Sequence, residues 1–198
     1  MKKFAFDLDG TITKVETLPI LAKELGLAAQ MKFLTDLTLA GKISFEKSFR
    51  MRYEILKKIP LKKISEIMSS IELDEEIFKF IRENKSQCVV VTGNLDCWIK
   101  PVAEKLGCEI FSSTSELDVH GVPVLKEILK KDFVIRQLKQ TCKKVIAIGE
   151  SFNDVPMLKA ADISIAYGGV HKPVDAAIFV VDYFVNDSTT LCKLLKSL

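Results

Sequence analysis

Three short, continuous apolar runs constrain the fold of this chain most: KFAFD at 3–7, CVVVT at 88–92 and KVIAIG at 144–149. A strand with one face in water alternates apolar and polar residues, whereas runs that are apolar throughout suit strands buried on both faces of a parallel sheet. Helical patterns at 73–84, 95–106, 130–141 and 152–160 separate and follow these runs. That alternation predicts right-handed βαβ crossovers, and so an α/β fold with a three-layer, Rossmann-like parallel sheet core. Further strands are expected at 108–112, 163–166 and 177–181. A small β excursion is expected over 116–125, around Gly121 and Pro123, and a closing helix over 188–197, capped by Asp187 or Ser188.

Residues 14–71 break this rhythm. They read as successive helices at about 17–25, 28–40, 44–57 and 61–70, with no strand between them. Gly26 and Gly41 are placed to end helices, Ser44 can cap the next, and Pro60 separates the last two. The expected organisation is an α/β core of residues 1–13 and 72–198, with a helical cap of residues 14–71 inserted after the first strand on short linkers near 13–15 and 71–74.

Charge and cysteine content narrow the function classes. The 29 basic and 26 acidic residues leave a net charge of +3, and the Lys pairs are scattered rather than gathered, so no nucleic-acid footprint is expected. The five cysteines lack any CxxC spacing, which suggests neither a zinc site nor a disulfide framework and favours reduced thiols in the cytoplasm. No stretch approaches the roughly 20 apolar residues that span a bilayer, so no membrane association is expected.

In an open parallel sheet, ligands bind beyond the carboxyl ends of the strands. Asp7, Thr92 and Gly149-Glu150 all fall at such ends. Asp7 and Asp9 are two residues apart, so in extended chain their side chains point the same way, and Gly10 allows a sharp exit. Such a pair can divide labour: one carboxylate held ionised against a cation attacks, while its neighbour exchanges a proton with the leaving oxygen. Asp7 suits the first role and Asp9 the second. Taken alone, the pair is equally compatible with a solvated loop or a helix cap.

The segment Asp7-Leu8-Asp9-Gly10-Thr11 after an initial strand resembles the first motif of the haloacid dehalogenase superfamily, and three downstream segments extend the likeness. VVVTGN puts Thr92 and Gly93 where that family binds a phosphoryl group, although a Thr there also suits a helix cap. KKDFVIRQL offers Lys131, with Lys130 as the alternative, as the cation neutralising nucleophile and phosphate. IGESFNDVPM supplies Glu150 and Asp154, whose other reading is the acidic first turn of a helix. The resemblance implies a Mg²⁺-dependent phosphomonoester hydrolase working through an aspartyl-phosphate. Asp7, the Asp9 carbonyl, Asp154 and Glu150, the last directly or through water, would hold the ion, and Asn153 would position the phosphate or Lys131.

Within that superfamily the chain is similar to the phosphoserine phosphatases from residue 4 to about 197. The likeness implies that Glu16 takes the substrate ammonium and Arg52 its carboxylate, with Phe45 and Leu39 lining the same pocket. The competing reading of Glu16 is a helix start, and of Arg52 a solvated helix face. Three departures stand out: Asn94 in place of a second Gly, where it could narrow the pocket; Glu150 in place of Asp; and Gly10 in place of a Ser found in many members. The expected partner is a small phosphorylated metabolite, and nothing indicates an oligomeric state. The alternatives are hydrolysis of another phosphomonoester, phosphoryl transfer to an alcohol, a receiver-type module, and a catalytically dead binding protein. His120, His171 and Trp98 suggest no catalytic constellation.

Overall fold

The computed structural model describes residues 2–198. Seven strands form one sheet: β1 (Lys2–Phe6), β2 (Cys88–Leu95), β3 (Glu109–Leu117), β4 (Pro123–Glu127), β5 (Lys144–Gly149), β6 (Ile163–Tyr167) and β7 (Tyr183–Val185), in the order β4-β3-β2-β1-β5-β6-β7. All pairings are parallel except β3–β4, which is an antiparallel hairpin. The three expected runs are its centre. β2 is buried along its whole length, and β1 and β5 at every position but the first, as strands covered on both faces must be.

Four helices lie between β1 and the rest of the sheet: α1 (Thr17–Ala22), extended by a 3₁₀ turn over Lys23–Leu25, α2 (Ala28–Leu39), α3 (Phe45–Leu56) and α4 (Leu61–Ser69). Their punctuation is local chemistry. Gly26 and Gly41 take the left-handed conformation at φ +69° and +71°, and the Ser44 side chain accepts from Lys47 N at 3.4 Å to open α3. The chain leaves and re-enters the core along paired segments: Thr13 bridges Leu73, Lys14 N donates to Glu72 O at 3.1 Å, and Asp74 N to Ile12 O at 2.8 Å.

The remaining helices are α5 (Glu75–Glu83), α6 (Asp96–Leu106), α7 (Lys131–Thr141), α8 (Val155–Ala160), α9 (Asp175–Ile178) and α10 (Ser188–Ser197). Asp187 caps α10, accepting from Thr190 N at 2.7 Å. Two apolar clusters flank the sheet. The larger joins the insert to one face through Phe49, Tyr53, Leu56, Ile64 and Met68 packed with Trp98, Val102 and Leu106; the smaller packs α7 and α8 on the other. No helix among the described residues is long and apolar enough to cross a membrane.

Two expectations need correction. The strand expected at 177–181 is not one: Asp175–Ile178 turns once as α9, and the edge strand is Tyr183–Val185. A short apolar run does not by itself distinguish helix from strand. Here two alanines after Asp175 favour the turn, and burying Ala177 leaves Phe179 86% exposed. The strand begins only after Asp182, whose carboxylate accepts from Ser164 N at 2.8 Å. The strand expected at 108–112 runs on to Leu117, and Thr114–Leu117 pairs with β4 as the small β excursion expected around Gly121 and Pro123.

Candidate active site

Strand ends bring the carboxylates together. β1 pairs with β5 so that Phe6 faces Ile148, and Asp7 N continues the ladder by donating to Ile148 O at 2.9 Å. Asp7 therefore stands beside Glu150, at the point where chain connections diverge to either side of β1. The Lys131 ammonium, from the first turn of α7, lies 2.5 Å from Asp7 Oδ1 and 2.6 Å from Asp154 Oδ1. Asp154 Oδ2 accepts from Glu150 N (3.1 Å), Ser151 N (2.9 Å) and Ser151 Oγ (2.8 Å). Asp154 is thus both the acid of a helix-start turn and part of the buried cluster. Lys130 sits outside it, at the N-cap of α7.

Asp7, Glu150 and Asp154 each offer an oxygen within 4.8 Å of the others, all buried. Burial pushes the Asp7 carboxyl well above the usual carboxylate range, the Asp154 charge adds to this, and Lys131 opposes it. Burial likewise raises Glu150, reinforced by the Asp154 and Asp7 charges and opposed by the Thr11 hydroxyl, which donates to Oε2 at 2.7 Å. For Lys131 burial acts downward, but the charges of Asp154 and Asp7 and its hydrogen bonds to them outweigh it and raise the group. With all of these groups ionised, three carboxylates against one ammonium leave two negative charges in excess, and Glu150 Oε1 is buried with no hydrogen-bond partner. A divalent, oxygen-seeking cation such as Mg²⁺ fits that donor set and that charge.

Asp9 lines the same cavity but is held by other partners. Its Oδ1 accepts from Thr17 N at 3.0 Å and Thr17 Oγ1 at 2.5 Å, and its Oδ2 from Asn94 Nδ2 at 3.3 Å. Asn94 also donates to Thr17 Oγ1 at 2.9 Å, so this departure from the resembled motif fixes the Asp9 carboxylate as well as crowding the pocket. Thr92 is not a helix cap: α6 begins at Asp96, and Thr92 Oγ1 accepts from Asn94 N at 3.1 Å. Ser113 steadies the end of β2 by donating to Gly93 O at 2.7 Å.

The insert completes the site. A cavity of about 50 Å³ is lined by Asp7, Asp9, Thr92, Gly93, Asn94, Lys131 and Asn153 from the sheet side and by Glu16, Leu39, Phe45 and Arg52 from the insert. Arg52 is buried rather than solvated. Its Nε donates to Ser48 O and its NH1 to Thr35 Oγ1, both at 3.4 Å, and its NH2 is buried without a partner. Burial lowers its pKa to about 10, against the opposing pull of Glu16 and Asp9, so it stays charged at neutral pH. Glu16 precedes α1 but makes no side-chain cap hydrogen bond. All eleven residues expected at the catalytic and substrate positions line this one cavity. Sequence reasoning missed Thr11, Thr17, Ser151 and Thr35, hydroxyl groups whose role is to hold the charged residues. It also missed His171, which lies 3.5 Å from Glu16.

The family model described as haloacid dehalogenase-like hydrolase matches residues 4–159. A phosphoserine phosphatase of Methanocaldococcus jannaschii is 30% identical over 180 residues, covering 84% of this chain and 85% of the relative. One from Campylobacter jejuni is 26% identical, covering 84% and 87%. Among solved structures, a substrate-bound phosphoserine phosphatase complex superposes with a TM-score of 0.82 at 24% identity, covering 100% and 99%. A phospho-aspartyl intermediate analogue of phosphoserine phosphatase gives 0.80 at 24%, covering both chains fully. At that identity the structural likeness speaks for the fold. The family match over most of the chain, with a relative aligned along nearly its whole length, establishes descent: this chain belongs to the haloacid dehalogenase-like hydrolases and is a phosphoserine phosphatase-like phosphoric monoester hydrolase.

Proposed function

We propose that the enzyme is a Mg²⁺-dependent phosphoserine phosphatase working through an aspartyl-phosphate, with residues 1–13 and 72–198 as the catalytic core and 14–71 as its cap. The observation that carries this reading is the Lys131 ammonium bridging Asp7 and Asp154 at the floor of a cavity whose opposite wall holds an unpartnered Arg52 nitrogen and the Glu16 carboxylate.

A carboxylate oxygen of Asp7 attacks phosphorus in line with the ester bond. That bond breaks as Asp9 gives its proton to the departing serine oxygen. Asp9, held by Thr17 and Asn94, then takes a proton from the water that attacks the aspartyl-phosphate. Phosphate leaves and Asp7 is regenerated. Thr92, Lys131 and the backbone N–H groups near Gly93 stabilise the equatorial oxygens, and Asn153 helps position them. Asp7, the Asp9 carbonyl, Glu150 and Asp154 would hold Mg²⁺, which supplies further positive charge against the phosphoryl oxygens. Glu16 takes the substrate ammonium and Arg52 its carboxylate, while Leu39 and Phe45 form the apolar walls.

The test is phosphate release from phosphoserine with and without Mg²⁺. Asp7→Asn should lower turnover by about 10³-fold or more, and wild-type turnover in that variant would remove Asp7 as nucleophile. Arg52→Ala should sharply reduce phosphoserine turnover while sparing p-nitrophenyl phosphate, which has no carboxylate to bind.

A further inference from the structure

Beside the site lies a contact that the mechanism does not use. His171, in the loop between β6 and α9, places Nε2 3.5 Å from Glu16 Oε1. Both atoms are buried and without a hydrogen-bond partner, so at 3.5 Å the pair is a charge contact rather than a hydrogen bond. The Glu16 side chain is 18% exposed and the His171 side chain 41%, so the imidazole approaches the carboxylate from the solvent side. Burial raises the Glu16 carboxyl above its usual range and His171 opposes that shift, while the facing Glu16 raises the imidazole. A buried carboxylate with no donor is costly, and a single charged neighbour then decides where it points.

The surroundings are shaped for this contact. Gly10 has φ +79°, and a Cβ there would come within 2.9 Å of Glu150 Oε1 and of His171 Cδ2 and 3.2 Å of Glu16 Oε1, so the absence of a side chain at position 10 leaves room for all three side chains. The loop carrying His171 is anchored at both ends, by Gly168 N donating to Val185 O at 2.8 Å and Val174 N donating to Glu150 O at 3.0 Å.

We infer that His171 is a positioning residue for recognition of the substrate amino group: its imidazole, as the charged neighbour of Glu16, holds the carboxylate in the orientation that receives an ammonium. This rests on Glu16 being the ammonium acceptor. His171 touches no reacting atom, so its effect belongs in KM for amine-bearing phosphomonoesters and not in the chemical step.

The experiment compares phosphoserine with 3-phosphooxypropanoate, the same phosphomonoester without its amino group, on the Mg²⁺-loaded enzyme. His171→Ala should raise KM for phosphoserine about three- to fivefold, the weight of a partly exposed ion pair, with kcat unchanged and the des-amino substrate unaffected. His171→Gln, which keeps a donor, should recover part of the loss. Equal changes for both substrates, or no change for either, would overturn the role of His171. Glu16→Ala separates the two layers. If it leaves the ratio of the two substrates' kcat/KM values unaltered, the ammonium reading of Glu16 is itself wrong. If it collapses that ratio while His171→Ala does not, only the positioning role falls.

Discussion

Gly93 carries no side chain because Phe45 occupies the space one would need: a Cβ built there overlaps the Phe45 ring. That ring stacks on Phe49 at 5.5 Å and lies under the Arg52 guanidinium at 5.8 Å, so it cannot yield without disturbing Arg52. Gly93→Ala should therefore cost about 1–3 kcal/mol of stability by overpacking. Adding Phe45→Leu should return part of it, measured as a double-mutant cycle in thermal unfolding, and strict additivity would show that the two residues do not meet. The carboxylate cluster supports a second expectation. Mg²⁺ should raise the melting temperature of the wild-type protein, because an ion bound only by the folded state stabilises it, and Asp154→Asn should remove most of that rise. An equal rise in the variant would place the ion elsewhere. Asp7 and Asp9 were legible because they sit at a strand end two residues apart, whereas Lys131, Glu16 and Arg52 were legible only through the resemblance to a known family. The hydroxyl groups that hold them were not. Thr17 reaches Asp9 across 8 positions and Thr11 reaches Glu150 across 139, and no local pattern distinguishes such a threonine from any other.

Elements were legible wherever burial is uniform or strictly periodic. β1, β2 and β5 announce themselves because both faces are covered, and α5 because Ile77, Phe80 and Ile81 fall on one side behind an Asp74 cap. The edges of the sheet are harder to read, since an edge strand is short and half-exposed: the strand expected at 177–181 lies instead at Tyr183–Val185, and β3 runs five residues past its expected end at 112. The β3–β4 hairpin has a task the sequence does not reveal. The Tyr53 hydroxyl of α3 donates to Pro123 O at 2.7 Å and accepts from Leu125 N at 3.2 Å, tying the insert to β4. Tyr53→Phe keeps the ring, which stacks on Trp98, but strips a buried carbonyl and an amide of a partner. The loss should be about 1–3 kcal/mol. An unchanged urea midpoint would mean that the tether carries no stability.

At the scale of the whole molecule, the insert has two relations to the core that pull in opposite directions. The cavity of about 50 Å³ is small and partly walled by the helices of the insert, so under the proposed function entry of substrate is expected to need a movement of those helices. Yet the same helices share one apolar cluster with the sheet, centred on Trp98, which lies fully buried with the Phe49 and Tyr53 rings each 6.3 Å away. A segment that buries its best apolar surface against its neighbour does not retain a core when separated from it. The expected motion is then a small rotation about the paired segments, Thr13 to Leu73 and Lys14 to Glu72, rather than a detachment. Trp98 is the only tryptophan in the chain, so its fluorescence reports this interface alone, while far-UV circular dichroism reports the helices and sheet together. In a urea titration the two signals should change together in one transition, as they do when a chain unfolds as a single cooperative unit. A Trp98 transition at distinctly lower urea would show that insert and core part before either unfolds, and that substrate entry proceeds by opening this apolar seam instead of pivoting on it.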